Sequence, residues 1–236
     1  MARIKSILEY DLKPRSPQQI HDTYYDTKNG AMRNKQITLR LRKMNDILLL
    51  TVKSNPRIVS GRASRRREVE LPWSLQSLVQ VARYIKMNVP IVESSQFSRL
   101  TPSKIFEAMG LYALQERWTR RKTRDIIAHD KSRPLPFAEL AIDEVTFLLE
   151  RNSVRFFEIE IEAKVGRSLS RVRAVADALI SKYQPGLQEW CHGKFLTGLA
   201  IQRLLETRTL QNYLVNGDLG PEAFQLIDRM IRSQRF

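Results

Sequence analysis

The residues best placed to do chemistry lie in Val154–Lys164, which reads Val-Arg-Phe-Phe-Glu-Ile-Glu-Ile-Glu-Ala-Lys. In an extended strand successive side chains point to opposite faces, so Glu158, Glu160 and Glu162 share one face and Phe157, Ile159 and Ile161 the other. Three carboxylates in a row repel one another, and either water or cations must relieve them. Water makes the stretch a solvated sheet face; cations make it a metal-binding face. Further charges stand at alternating positions elsewhere. Arg40, Arg42, Lys53, Arg66, Arg117 and Arg121 supply cations, and Glu68, Glu70, Glu139 and Asp143 supply more acids. A mixture of this kind suits polyphosphate. Guanidinium forks clamp phosphate oxygens directly, whereas carboxylates reach them only through a bridging Mg²⁺ or Mn²⁺.

Strands are the elements that would position these groups. Ile20–Thr27 is rich in β formers and closes at the turn Lys28-Asn29-Gly30. Gln36–Arg42 alternates strictly, and Met44-Asn45-Asp46 is a hairpin connection into Ile47–Lys53. Residues 54–64 read as a loop, and Arg65–Leu71 as the next strand. Tyr112–Arg124 and Phe137–Phe147 follow, before the acidic strand. Helices are expected after Ser74 and after Thr101-Pro102, where cap residues precede apolar periodicity, with Gly110 as a stop. Beyond Lys164 the period becomes helical: one helix after a Ser168 cap through Lys182, then Phe195–Glu206 and Pro221–Arg232, the last two joined by a loop containing Asn216-Gly217-Asp218. Residues 1–20 support no more than a short strand or helix and a loop, since Pro14 and Pro17 interrupt them.

Strands followed by helices define the α+β class. If the charged faces turn inward, the strands form an antiparallel β-barrel tunnel flanked by helices. If they turn outward, the same alternation is an ordinary two-layer sheet.

The totals narrow the partners. Among 236 residues, 40 are Lys or Arg against 25 Asp or Glu, a formal charge of +15, which favours a polyanion. The one cysteine, Cys191, rules out an internal disulfide framework, and three scattered histidines make a zinc site a poor expectation. Neither a signal peptide nor a membrane-spanning run is apparent, so a cytoplasmic protein with no membrane partner is expected. Nucleic acid is the weaker polyanion reading, because only Trp118 interleaves the basic run Arg117–Arg124.

In order along the chain, Tyr24-Tyr25-Asp26-Thr27, Leu39-Arg40-Leu41-Arg42, Leu50-Thr51-Val52-Lys53, Arg66-Arg67-Glu68-Val69-Glu70, Thr119-Arg120-Arg121, Ala141-Ile142-Asp143-Glu144-Val145-Thr146-Phe147 and Phe157-Glu158-Ile159-Glu160-Ile161-Glu162 resemble the CYTH domain family, the triphosphate tunnel metalloenzymes. The resemblance implies metal-dependent hydrolysis of inorganic triphosphate or a triphosphorylated organic substrate. By the same resemblance Arg40, Arg42, Lys53 and Arg121, with Arg66 and Arg117, hold phosphates, and Lys53 and Arg121 assist the reaction. Glu160 and Glu162, with Asp143, Glu68 and Glu70, hold Mg²⁺ or Mn²⁺. The family's opening Glu-x-Glu-x-Lys strand is not found at its usual place. Glu9-Tyr10-Asp11-Leu12-Lys13 has similar letters but is followed at once by Pro14. The expected organisation is an N-terminal segment at 1–19, shortened or lacking that strand, the tunnel domain at 20–185 and a C-terminal helical extension at 186–236. The extension covers the barrel or mediates a homodimer. With an incomplete tunnel, a non-catalytic polyphosphate- or nucleotide-binding module is the alternative.

Overall fold

A computed structural model describes residues 4–54, 57–60, 63–65, 67–89, 97–128, 135–149, 152–164 and 168–233, with 57–60 and 63–65 as backbone only. The elements are β1 (Ser6–Ile7), β2 (Tyr10–Pro14), β3 (Gln18–Thr27), α1 (Ala31–Asn34), β4 (Thr38–Met44), β5 (Ile47–Lys53), β6 (Arg57–Ser60), β7 (Ala63–Arg65), β8 (Glu68–Pro72), α2 (Leu75–Ile85), α3 (Pro102–Ala108), β9 (Leu111–Ala128), β10 (Ala138–Leu148), β11 (Ser153–Ala163), α4 (Leu169–Tyr183), α5 (Lys194–Glu206), β12 (Leu214–Val215), β13 (Asp218–Leu219) and α6 (Pro221–Arg232). The class is α+β, with antiparallel strands and flanking helices as the residue pattern predicts. Two compact units divide the chain: Ile20–Trp118 with Phe147–Asn152, and Met1–Gln19 with Thr119–Thr146 and Ser153–Phe236.

In the 20–118 unit the hydrogen-bonded order is β9–β3–β4–β5–β8. The β4–β5 hairpin turns at Asn45, whose φ of 52° is a left-handed conformation that Asn tolerates. Its register pairs Arg40 with Thr51, and β5–β8 pairing sets Lys53 opposite Glu68 and Thr51 opposite Glu70. One face is apolar: Leu39, Leu50 and Val52 pack with Leu78, Val81, Ala82 and Ile85 of α2 and with Ile105 and Phe106 of α3. Both helices start where the caps foretell. Ser74 Oγ accepts from Ser77 N at 3.1 Å, and Thr101 Oγ1 from Lys104 N at 3.4 Å. Within the stretch expected to be a loop, β6 and β7 form a separate antiparallel pair.

In the other unit β2 pairs antiparallel with the end of β9, from Tyr10 opposite Ala128 to Pro14 opposite Arg124. The N-terminal segment therefore contributes a strand. Tyr10 and Leu12 are buried with Ile126, Phe137, Leu140, Val175 and Leu179 in a core under α4, so Asp11 and Lys13 face the opposite side of the strand. Ser168 stands at the N-cap of α4, but its hydroxyl donates to the Phe137 carbonyl at 3.1 Å and makes no cap hydrogen bond.

The acidic strand corrects one expectation. Ile159 and Ile161 pack on the core under α4, but Phe157 is 62 % exposed. Val154 and Phe156, on the glutamate face, are buried instead. The C-terminal segment explains the exchange: Phe224 of α6 stands edge-on to Phe156 (centroids 6.2 Å), and Trp190 edge-on to Phe224 (5.3 Å). That segment is not purely helical. Asn216 and Gly217, with φ of 52° and 83°, turn a β12–β13 hairpin whose second strand lies parallel to β11, Arg155 opposite Asp218.

Candidate functional site

Two clusters of charge with buried members stand out, one in each unit. In the 20–118 unit, alternation along β3 puts Ile20, Asp22, Tyr24 and Asp26 on one buried face. Asp26 is structural: its carboxylate accepts from the Met32 and Arg33 N–H groups at the start of α1, at 2.9 and 3.2 Å. Asp22 is the centre of a cation cluster. It accepts a bidentate pair from Arg42 (2.8 and 3.0 Å) and a further bond from Arg117 Nη2 (3.0 Å), and Arg40 Nε lies 3.5 Å away. Arg117 Nη2 also donates to Tyr24 Oη at 2.7 Å. Burial alone would push the Asp22 carboxyl up, but Arg40, Arg42 and Arg117 outweigh it and hold the group well below the usual carboxylate range. The Tyr24 phenol is lowered in the same way, burial being outweighed by Arg117 and Arg40.

Around this centre Arg40 Nη2 lies 3.8 Å from Glu68 and 3.5 Å from Glu70, and Lys53 Nζ lies 2.9 Å from Glu68. Thr51 Oγ1 donates to Glu70 at 2.9 Å. Four cations thus face three carboxylates. Arg40 Nε and both Nε and Nη1 of Arg117 are buried and make no hydrogen bond among the described residues. Buried guanidinium donors left over after the local carboxylates have been served are a ready receptor for an oxyanion with several oxygens.

In the other unit the group is acidic. Asp143, fully buried on β10, accepts a bidentate pair from Arg121 of β9 at 2.8 and 2.6 Å. Arg121 Nη2 reaches on to Glu160 Oε2 at 2.8 Å. The remaining side is closed by Lys194, the first residue of α5. Its Nζ lies 2.7 Å from Glu160, 2.8 Å from Glu158 and 3.2 Å from Asp143. Burial pulls an ammonium down, but Glu160, Glu158 and Asp143 together raise Lys194. Glu158 is raised by burial and by its acidic neighbours, against the pull of Lys194. Three carboxylates here face two cations.

A third set in this unit is self-contained: Asp125 takes Arg15 at 2.7 Å and Lys164 at 2.8 Å, and Lys164 also meets Glu139 at 3.1 Å. Cys191, His192 and Asp228 hold ligand-type atoms within 4.8 Å of one another, but Arg232 already occupies both Asp228 oxygens at 2.9 and 2.8 Å.

The expected site residues therefore fall as follows. Arg40, Arg42, Lys53 and Arg117 gather with Glu68 and Glu70; Arg121 gathers with Asp143 and Glu160. Glu162 is exposed near the end of β11. Arg66 lies outside the described residues. Sequence reasoning missed Asp22, Tyr24 and Lys194 as members of these groups. The alternation of Asp22 and Tyr24 along β3 was a readable signal; for Lys194, in a tail without an evident motif, there was none.

Comparison with known proteins now identifies the fold family. A model of the CYTH domain matches residues 2–183, and the chain belongs to that family. No curated protein sequence matches it. Similar solved structures include the adenylyl cyclase-type protein HpAC1 of Hippeastrum, described as having a dominant triphosphatase activity (16% identity, 80% of this chain and 85% of that one, TM-score 0.49). An adenylate cyclase-type protein of Bacillus halodurans (15% identity, 80% and 96%, TM-score 0.45) and a protein of Pyrococcus horikoshii (15%, 85% and 89%, 0.45) are also similar. No helix among the described residues is long and apolar enough to cross a membrane.

Proposed function

We propose that this chain is a divalent-metal-dependent triphosphatase, with the basic group as a phosphate receptor and the acidic group as a metal site. Inorganic triphosphate is the first candidate substrate and a triphosphorylated organic molecule the second. The observation that carries the reading is the buried guanidinium pair Arg40 and Arg117, of which Arg40 Nε and both Nε and Nη1 of Arg117 make no hydrogen bond among the described residues. Membership of the CYTH family supports a triphosphate-related function.

Each residue has a physical task. Arg40, Arg42 and Arg117 form a preorganised donor surface, locked by Asp22, that can meet phosphate oxygens without reorganising. Lys53 and Arg121 are the cations assigned to the reaction in this reading, and Arg66 is a further basic position. For the metal, the donor set fits. Three carboxylate oxygens converge on one positive charge, now the Lys194 ammonium, and hard oxygen donors suit Mg²⁺ or Mn²⁺. Asp143, Glu158 and Glu160 would hold it, with Glu162 as a further carboxylate on the same strand; Glu68 and Glu70 are the carboxylates this reading assigns in the other unit. When bound, such an ion polarises phosphate oxygens and acidifies a water for in-line attack. The products are orthophosphate and the shortened polyphosphate.

The domain assignment proposed with this function is a tunnel over 20–185 and an extension over 186–236. The competing reading is a polyphosphate-binding module without turnover, and the hold of Lys194 on the acidic group is the observation in its favour. Phosphate release from inorganic triphosphate, measured with Mg²⁺, Mn²⁺ or EDTA, separates the two. Turnover that requires metal supports the hydrolase. Tight binding without metal-dependent release establishes the module instead.

A further inference from the structure

Lys194 is an unusual residue in an unusual place. It is the first residue of α5, where the positive end of the helix dipole disfavours a cation, and its side chain is only 8 % exposed. Nothing local recommends that position for an ammonium, so the three carboxylates must hold it there. The start of the helix is fixed independently of that side chain. Trp190 Nε1 donates to buried Thr197 Oγ1 at 3.1 Å, and Trp190 packs edge-on to Phe224, which in turn covers Phe156 of β11. The backbone at Lys194 is thus anchored on the same strand face that carries Glu158 and Glu160.

Around the acidic group the inward oxygens are divided between two cations. Arg121 engages both oxygens of Asp143 and Oε2 of Glu160, and Lys194 lies against Asp143 Oδ2, Glu158 Oε2 and Glu160 Oε1. A divalent ion needs oxygen ligands at about 2.0–2.6 Å and cannot enter while an ammonium sits between them. Of the two residents, Arg121 is a planar fork with bidentate bonds to a buried partner. Lys194 is a point charge on a flexible stem and can withdraw while its helix stays docked.

We propose that Lys194 is a tethered counter-cation that a divalent metal ion must displace from Glu158, Glu160 and Asp143, so that the C-terminal segment sets the metal affinity of the acidic group. The inference rests on the reading of that group as a metal site. It gives the extension a role in the chemistry: a built-in competitor that keeps the carboxylates neutralised and assembled until metal arrives.

The test uses the full-length chain and Mn²⁺ alone, with free Mn²⁺ followed by electron paramagnetic resonance. K194Q is expected to bind Mn²⁺ at least about tenfold tighter than the unmodified chain, equivalent to about 1.4 kcal/mol. K194R, which keeps the charge, should bind no tighter than the unmodified chain, and E160Q should weaken binding in both the unmodified and the K194Q background. A second measurement needs no substitution. Acylation footprinting of the unmodified chain should show Lys194 protected without metal and labelled more readily once Mn²⁺ is bound. If Mn²⁺ binds in an E160Q-sensitive way but K194Q gains nothing and Lys194 labelling stays unchanged, the displacement is wrong and the metal site stands. If neither the unmodified chain nor K194Q binds Mn²⁺, both readings fall.

Discussion

Asp22 offers the sharpest test of the basic group. Its carboxylate is 1 % exposed and serves three guanidinium groups, Arg40, Arg42 and Arg117. The perturbation is D22N, which keeps the shape and removes the charge. Breaking a buried ion pair from one side costs about 3–5 kcal/mol, because the partners remain buried and uncompensated. For a chain of this size that corresponds to roughly 6–20 °C in Tm. Thermal and urea unfolding followed by circular dichroism would read the loss. The pH dependence has a definite sign. Asp22 is depressed in the folded state, so its contribution is complete above the unfolded carboxyl value of about 3.9 and disappears as pH falls below it. The stability of D22N should therefore fall less steeply over that acid range than that of the unmodified chain. If the group is a phosphate receptor, inorganic triphosphate should restore more Tm to D22N than it adds to the unmodified chain, since a polyanion can replace the lost counter-charge. A D22N loss below about 1 kcal/mol, or an unchanged acid limb, would refute the argument that Asp22 holds this cluster together.

R117Q removes two of the unfilled donors; because charge-assisted bonds are worth about 1.5–3 kcal/mol each, triphosphate affinity by calorimetry should fall about tenfold or more. Leu179, buried in the core under α4, should cost about 2–5 kcal/mol as L179A in urea unfolding. A chain ending at residue 185 loses the Phe224 cover of Phe156 on β11, so it should bind a hydrophobic dye and sediment as aggregate more than the full chain does.

The parts of the fold legible in the sequence are those fixed by local chemistry. Ser74 and Thr101 each accept the backbone N–H three residues on, and each starts the helix it was expected to start. The Arg40 and Lys53 strands follow alternation, and their partner registers follow the Asn45 turn. Where a distant partner competes, the local signal fails. Ser168 gives its hydroxyl to the Phe137 carbonyl instead of capping α4, and Phe157 is left exposed because Phe224 covers Phe156 on the other face. Both outcomes depend on segments far away in sequence, which no window of neighbouring residues contains.

The candidate site divides along the same line. Basic residues were visible mainly on the early strands, with Glu68 and Glu70 among them, and clustered acids on the last two, and inward-turned faces were expected to put both sets around one cavity. Each group also contains a central counter-ion that the site reading left out: Asp22, whose alternation along β3 was readable, and Lys194, at the head of a helix with no readable motif. Physics requires such residues, because neither four clustered cations, two of them buried, nor three close carboxylates can be assembled without opposite charge. The counter-ions also bear on function. Asp22 is nearly inaccessible and bound by three guanidinium groups, so it can only organise the donors around it. Lys194 is a single flexible ammonium, and exchange for a harder, doubly charged ion costs the acidic group no carboxylate ligand. On the proposed reading one counter-ion is therefore permanent and the other replaceable, which would locate ligand-dependent change in the acidic group and a fixed receptor surface in the basic one.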